Sequence, residues 1–117
     1  MTDPTPALSS EDQKLVTLAK ATRARTNAAE GAAVRDLDGR TYAAASVDLP
    51  SLRLSALQVC VAMAVASGSR SLEAAVLLTD AGDVGADDLA VLRDFSGEGV
   101  VVHRGDPRGG IAQTLGT

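Results

Sequence analysis

Large aromatic side chains are almost absent from this chain: Tyr42 and Phe95 are the only two, and there is no Trp. A core for 117 residues must therefore be built from Leu, Val and Ala. Small apolar side chains reach native packing density only when layers approach closely, helix on sheet or subunit on subunit. Reactive side chains are equally scarce. Cys60 is the only cysteine, so no internal disulfide forms and no Cys-rich zinc module can be assembled. His103 is the only histidine. A histidine-pair metal site is thus excluded within one chain, and any Ser-His or Cys-His catalytic pair has to use His103.

The length is that of one domain, which buries roughly two-thirds of its unfolded surface on folding. The balance of 45% hydrophobic and 22% charged residues is that of an ordinary soluble globular protein. A net charge of −4 disfavours non-specific nucleic-acid binding, which needs a basic surface. No apolar run approaches transmembrane length. Met1 to Ser10 holds no basic stretch followed by an apolar run, so no secretory signal is read and the cytoplasm is the expected location.

Along the chain, residues 1–9, with Pro4 and Pro6, read as a disordered lead, and 10–117 as a single domain. Ser10 opens a capping pattern with Gln13, and Leu15, Leu18, Ala19 and Thr22 share a face, predicting a helix over Glu11 to Ala24. Ala28 to Val34 and Thr41 to Val47 flank Asp38-Gly39, a tight-turn signal, and predict a β-hairpin. Leu49 to Arg53, with Pro50, reads as a connection. Leu54 to Ser67 is apolar nearly all round and ends at Gly68, which predicts a buried central helix. Leu72 to Thr79 reads as a strand covered on both faces. A helix over Asp87 to Asp94, a strand over Val100 to His103 and a short helix over Ile111 to Leu115 complete the chain. The order α-β-β-α-β-α-β implies a mixed sheet in a three-layer α/β/α sandwich.

This order resembles the cytidine deaminase family once particular residues are set on it. Asn27-Ala28-Ala29-Glu30-Gly31-Ala32-Ala33-Val34 is similar to the family's N-F-x-V-G-A-A-x. Asp38-Gly39, Tyr42 and Ser46-Val47-Asp48 follow where the family has D-G, an aromatic or apolar residue, and N-V-E. Leu54-Ser55-Ala56-Leu57-Gln58 resembles L-C-A-E-Q at the start of the central helix, and Val65 to Gly68 its end. The likeness extends from about Glu11 to the C-terminus, where Ile111 to Gly116 matches the family tail faintly.

The resemblance implies zinc held by a Cys or His at the central helix and by two Cys in a P-C-x-x-C loop, with a neighbouring Glu moving protons. Here the first ligand position falls on Ser55 and the Glu position on Leu57. The second ligand pair belongs in Gly82 to Leu89, which holds neither Cys nor His. A serine hydroxyl is a poor zinc ligand and leucine moves no proton. Ala28 replaces the base-stacking phenylalanine, and Ser46 and Asp48 replace the ribose-holding Asn and Glu. No catalytic residue and no metal ligand is assigned, and no cofactor is expected. The residual pocket is read as Ala28, Glu30, Ser46, Asp48, Ser55, Ala56 and Leu57.

Other residues are weighed against bland roles. Cys60 reads as a small buried hydrophobe rather than a reactive thiol. His103, at a strand end with no evident nucleophile, reads as surface or structural. Asp80, Asp83, Asp87 and Asp88 do not fit a calcium loop and read as caps and solvated groups. Arg104-Gly105-Asp106 is a chance match to a cell-adhesion tripeptide. Lys20, Arg23 and Arg25 suit a helix C-terminus.

The expected function is a catalytically inactive deaminase-like pseudoenzyme acting as an oligomeric interaction module, a dimer or tetramer. A protein partner is the companion expectation, and neither membrane nor nucleic acid is. The alternative is a nucleoside or nucleotide-binding protein, or a deaminase-type enzyme, using the residual pocket. A nucleic-acid accessory factor is a weaker third reading.

Overall fold

A computed structural model of the chain describes residues 8–117. Most of the predicted lead lies outside these residues. Leu8 packs against the core, and Ser9 caps the first helix, α1 (Ser10–Thr26). The cap is thus one residue earlier than the expected Ser10: Ser9 Oγ accepts the Asp12 N–H at 3.1 Å. Asn27, in the left-handed region at φ 52°, ends the helix.

The predicted hairpin forms between β1 (Gly31–Asp36) and β2 (Thr41–Ala45), antiparallel, with Val34 opposite Tyr42. Gly39 takes φ +85° in its turn, which is why Asp-Gly is legible there. Asp36 organises the turn from below. Its carboxylate accepts N–H bonds from Asp38 and Arg40, both at 2.9 Å, and a bond from the Ser69 hydroxyl. Burial alone would raise the Asp36 pKa, but these donors hold it below the ordinary carboxylate value.

The segment read as a simple connection around Pro50 is a small antiparallel ribbon, β3 (Val47–Leu49) with β4 (Leu52–Leu54). Pro50 sits at its turn, where a missing N–H breaks no ladder. Next come α2 (Ala56–Ala66), β5 (Leu72–Leu78), α3 (Ala86–Ser96) and β6 (Val101–Gly105). The expected terminal helix is a strand, β7 (Ile111–Gly116), antiparallel to β6. Ile111, Gln113 and Leu115 are half-buried while Ala112, Thr114 and Gly116 are exposed, a period of two that no helix has.

The five-stranded sheet has the order β2-β1-β5-β6-β7, and only β5 and β6 run parallel. Alternate residues of β5 divide between two cores. Leu72, Ala75 and Leu77 pack with α2 and α3, and Ala74, Val76 and Leu78 with α1. The α/β/α layering is therefore as expected, and β5 is apolar throughout because both its faces are covered. Close layers are enforced at Gly31, where a Cβ would overlap the Ala19 carbonyl oxygen of α1 and lie 2.7 Å from Arg23 Cβ.

Two sequence expectations change in detail. The central helix α2 buries one side, Ala56, Leu57, Cys60, Val61 and Ala64, but exposes Ala62, Val65 and Ala66. His103 is not a surface residue. It is 4% exposed, with Nε2 2.8 Å from Asp12 on α1 and Nδ1 2.8 Å from Thr114 on β7. Asp12 also accepts from Arg35 Nη2 at 2.8 Å, and Arg35 pairs in turn with Glu73. Burial acts to raise the Asp12 pKa, but His103 and Arg35 together bring it below its usual value.

Candidate functional site

Three parts of the chain meet at one edge of the α2 side. Glu30 precedes β1, Ser46 follows β2, and the N-termini of α2 and α3 meet at Ser55 and Asp88. Glu30 and Ser46 grip each other twice: the Glu30 N–H donates to Ser46 Oγ, and the Ser46 N–H to the Glu30 carbonyl, both at 3.1 Å. The Glu30 carboxylate then reaches across and accepts the Ala56 N–H at 3.4 Å, one of the free amides of the first turn of α2.

Ser55 is the N-cap of α2 and forms a full capping box with Gln58. Its Oγ accepts the Gln58 N–H at 3.1 Å, while its own N–H donates to Gln58 Oε1 at 2.8 Å. The hydroxyl proton remains, and it is donated to Asp88 Oδ1 in a short hydrogen bond. Asp88 lies in the first turn of α3 and is 7% exposed. Burial pushes its carboxyl pKa above the ordinary value and the neighbouring Asp87 charge adds to this, against the opposing pull of the Ser55 hydroxyl. Ser55, Gln58 and the stretch Gly85 to Asp88 line an open cavity of about 340 Å³. Chemically, the cavity offers a buried carboxyl beside a hydroxyl, with the positive ends of two helices behind them.

Of the seven residual-pocket residues, Glu30, Ser46 and Ala56 are joined by these hydrogen bonds, while Ser55, next to Ala56 in the chain, bonds to Gln58 and Asp88. Asp48 is not among them. It stands on the ribbon with its side chain 88% exposed, and pairs with Arg53 at 3.2 Å. Leu57 is fully buried in the core cluster rather than at the pocket surface. Ala28 is half-buried, and its N–H is spent on the Arg23 carbonyl at the end of α1. Asp88 and Gln58 were missed. The expected capping or solvated role of Asp88 is corrected by its burial against Ser55. The available signal was its place in Gly82 to Leu89, where a second set of site groups was expected. Cys60 is a buried small side chain as expected, with its pKa pushed up to about 12 by burial.

A model of the cytidine deaminase-like family matches residues 8–109. This chain belongs to the cytidine deaminase-like family.

Solved structures agree with that at the level of fold. The cytidine deaminase of Mycobacterium leprae is 22% identical, with a TM-score of 0.71 over 91% of this chain and 94% of that one. The enzyme of Burkholderia pseudomallei is 19% identical, with a TM-score of 0.78 over 92% of each chain. That of Bacillus anthracis is 15% identical, with a TM-score of 0.67 over 90% and 82%. No curated protein matches the chain. In this cytidine deaminase-like chain, no three His, Cys, Asp or Glu among the described residues are grouped to hold a metal ion. No helix among them is long and apolar enough to cross a membrane.

Proposed function

We propose that this protein is a cytidine deaminase-like pseudoenzyme that works as a non-catalytic, oligomeric interaction module. The observation that carries the reading is the Ser55–Asp88 hydrogen bond. It joins the two helix starts that, by family resemblance, would each present metal ligands. Zinc takes thiolate, imidazole or carboxylate. Here a neutral hydroxyl spends its proton on the buried Asp88 carboxyl, and that donor set does not fit zinc. Leu57, at the position of the family's proton-moving Glu, belongs to the core instead. The scaffold is kept by contacts that need no metal: the capping box, the Glu30–Ala56 bond and the close approach at Gly31. The uncovered side of α2, with Val65 53% exposed, supports burial against a second subunit.

The 340 Å³ cavity, which Ser55 of the residual pocket lines, supports the second reading, a nucleoside or nucleotide-binding protein or an enzyme of the nucleoside deaminase type. Two measurements on the purified chain decide between these. Elemental analysis with a cytidine turnover assay is expected to give no stoichiometric zinc and no product, and finding both would overturn the proposal. A thermal-shift panel of nucleosides and nucleotides is expected to leave the melting temperature unchanged. A ligand at a hundred times its dissociation constant would add about 2.7 kcal/mol, so a saturable shift would favour the binding protein.

A further inference from the structure

On the opposite side of the sheet, the end of α1, the loop after β5 and the β6–β7 loop line a second, open cavity of about 380 Å³. Arg23, Asp80, Asp106, Pro107 and Arg108 line it. Its charges are not paired off. Among the described residues no ion pair involves Arg23, Asp80 or Arg108. Arg23 Nε is moreover buried without any hydrogen-bond partner. Buried donors in folded proteins normally have a partner, and the rest of the Arg23 guanidinium is left to supply contacts at the cavity wall.

Asp106 is not that partner. Its carboxylate is turned inward on its own loop and accepts the N–H groups of Arg108 at 2.8 Å and Gly110 at 3.2 Å. This fixes the loop that carries Arg108. The loop is also seated closely on α1, where a Cβ at Gly109 would come 3.3 Å from Val16. The other wall is held by Arg104, whose Nη1 donates to the Ala81 carbonyl at 3.2 Å, next to Asp80. The walls are therefore tied down, while Arg23, Arg108 and Asp80 line a space in which, among the described residues, none of them has an ion-pair partner. Guanidinium groups take planar oxyanions in paired hydrogen bonds, and a lone carboxylate takes an ammonium.

We propose that this cavity binds a small zwitterion, with its oxyanion on Arg23 and Arg108 and its ammonium on Asp80. The oxyanion can be a carboxylate or a phosphate, which share this chemistry.

The test is a titration of the full-length, isotopically labelled protein followed by amide chemical shifts. Three probes are used: glycine, phosphoethanolamine and inorganic phosphate. One of the two zwitterions is expected to give saturable shifts at Asp80–Ala81 and Arg108–Gly110, and which one identifies the oxyanion. Arg108→Ala, an exposed loop change, is expected to weaken that zwitterion tenfold or more, about 1.4 kcal/mol. Asp80→Asn is expected to weaken the zwitterion while leaving inorganic phosphate unchanged. Absence of saturable shifts with both zwitterions up to about 10 mM, ten times a millimolar dissociation constant, would overturn the proposal. So would binding that is unaffected in a folded Arg108→Ala variant, or inorganic phosphate binding as tightly as the zwitterion.

Discussion

Ser55 uses its hydroxyl in two directions, accepting from the Gln58 amide and donating to Asp88. Removing it in Ser55→Ala loses an N-cap, a change that costs about 0.5–2 kcal/mol, and also strips Asp88 of its donor. Asp88 itself has the opposite effect on stability at neutral pH. Burial raises its folded pKa above the unfolded value, so the unfolded chain gives up the proton first. Its contribution is fully present below the unfolded value of 3.8 and is lost as pH rises through the raised folded value. Asp88→Asn keeps an acceptor for Ser55 and carries no charge to bury. It is expected to melt higher than the parent at about pH 7, with the advantage shrinking toward about pH 3. Thermal denaturation of both proteins across that range checks this, and an unchanged difference would refute the buried-charge account. The acid first turn of α3 did not disclose any of this. Asp87 and Asp88 are adjacent and chemically alike in sequence, and only the packing of α2 against α3 buries one of them.

Element by element, legibility followed how much of each signal was local. The β1–β2 hairpin was readable because its turn needs a residue that takes φ +85°, and Asp38-Gly39 supplies it. The β5 strand was readable because two covered faces leave an unbroken apolar run. β7 was not, since a half-buried edge strand alternates weakly and Ile111 to Leu115 also fits one turn of helix. The β3–β4 ribbon was hidden by Pro50, which reads as a break in any longer element. Gly31 marks the other limit: the resemblance singled it out, but only the structure supplies the reason. Gly31→Ala is expected to destabilise by about 1–3 kcal/mol or more, because backbone on α1 cannot move aside cheaply. Gly82→Ala, which meets nothing within 4 Å, is the matched control and is expected to be near neutral. Chemical denaturation midpoints of the two variants provide the comparison, and equal midpoints would contradict close layering as the reason for this glycine.

For the whole molecule, a core whose fully buried members include no large aromatic is made from two clusters on either face of one sheet, with Tyr42 and Phe95 only partly buried against one of them. What it leaves outside is apolar in places: Val65 on α2, and Leu49 and Leu52 on the ribbon. Sedimentation at micromolar concentration is expected to give a dimer or tetramer. Val65→Glu, at an exposed position, is expected to reduce the mass to that of one chain without loss of helical signal. A monomeric parent would remove oligomerisation from the proposed function. The layers could be read from the chain. The buried Asp88 and the zwitterion cavity could not, because each depends on distant segments meeting.

The contact between His103 and Asp12 has a further consequence, for synthesis. These residues are 91 positions apart, yet the imidazole fastens the first turn of α1 to β6. A ribosome releases α1 well before its anchor. Until β6 emerges, the Asp12 carboxylate lacks its histidine, and α1 must wait on a sheet that is still incomplete. Closing so long a loop adds only modest entropy, about 0.6 kcal/mol per doubling of length, so the delay is one of sequence order rather than of energy. Strands made later therefore fix a helix made earlier, and α1 is not fully seated until β6 has emerged.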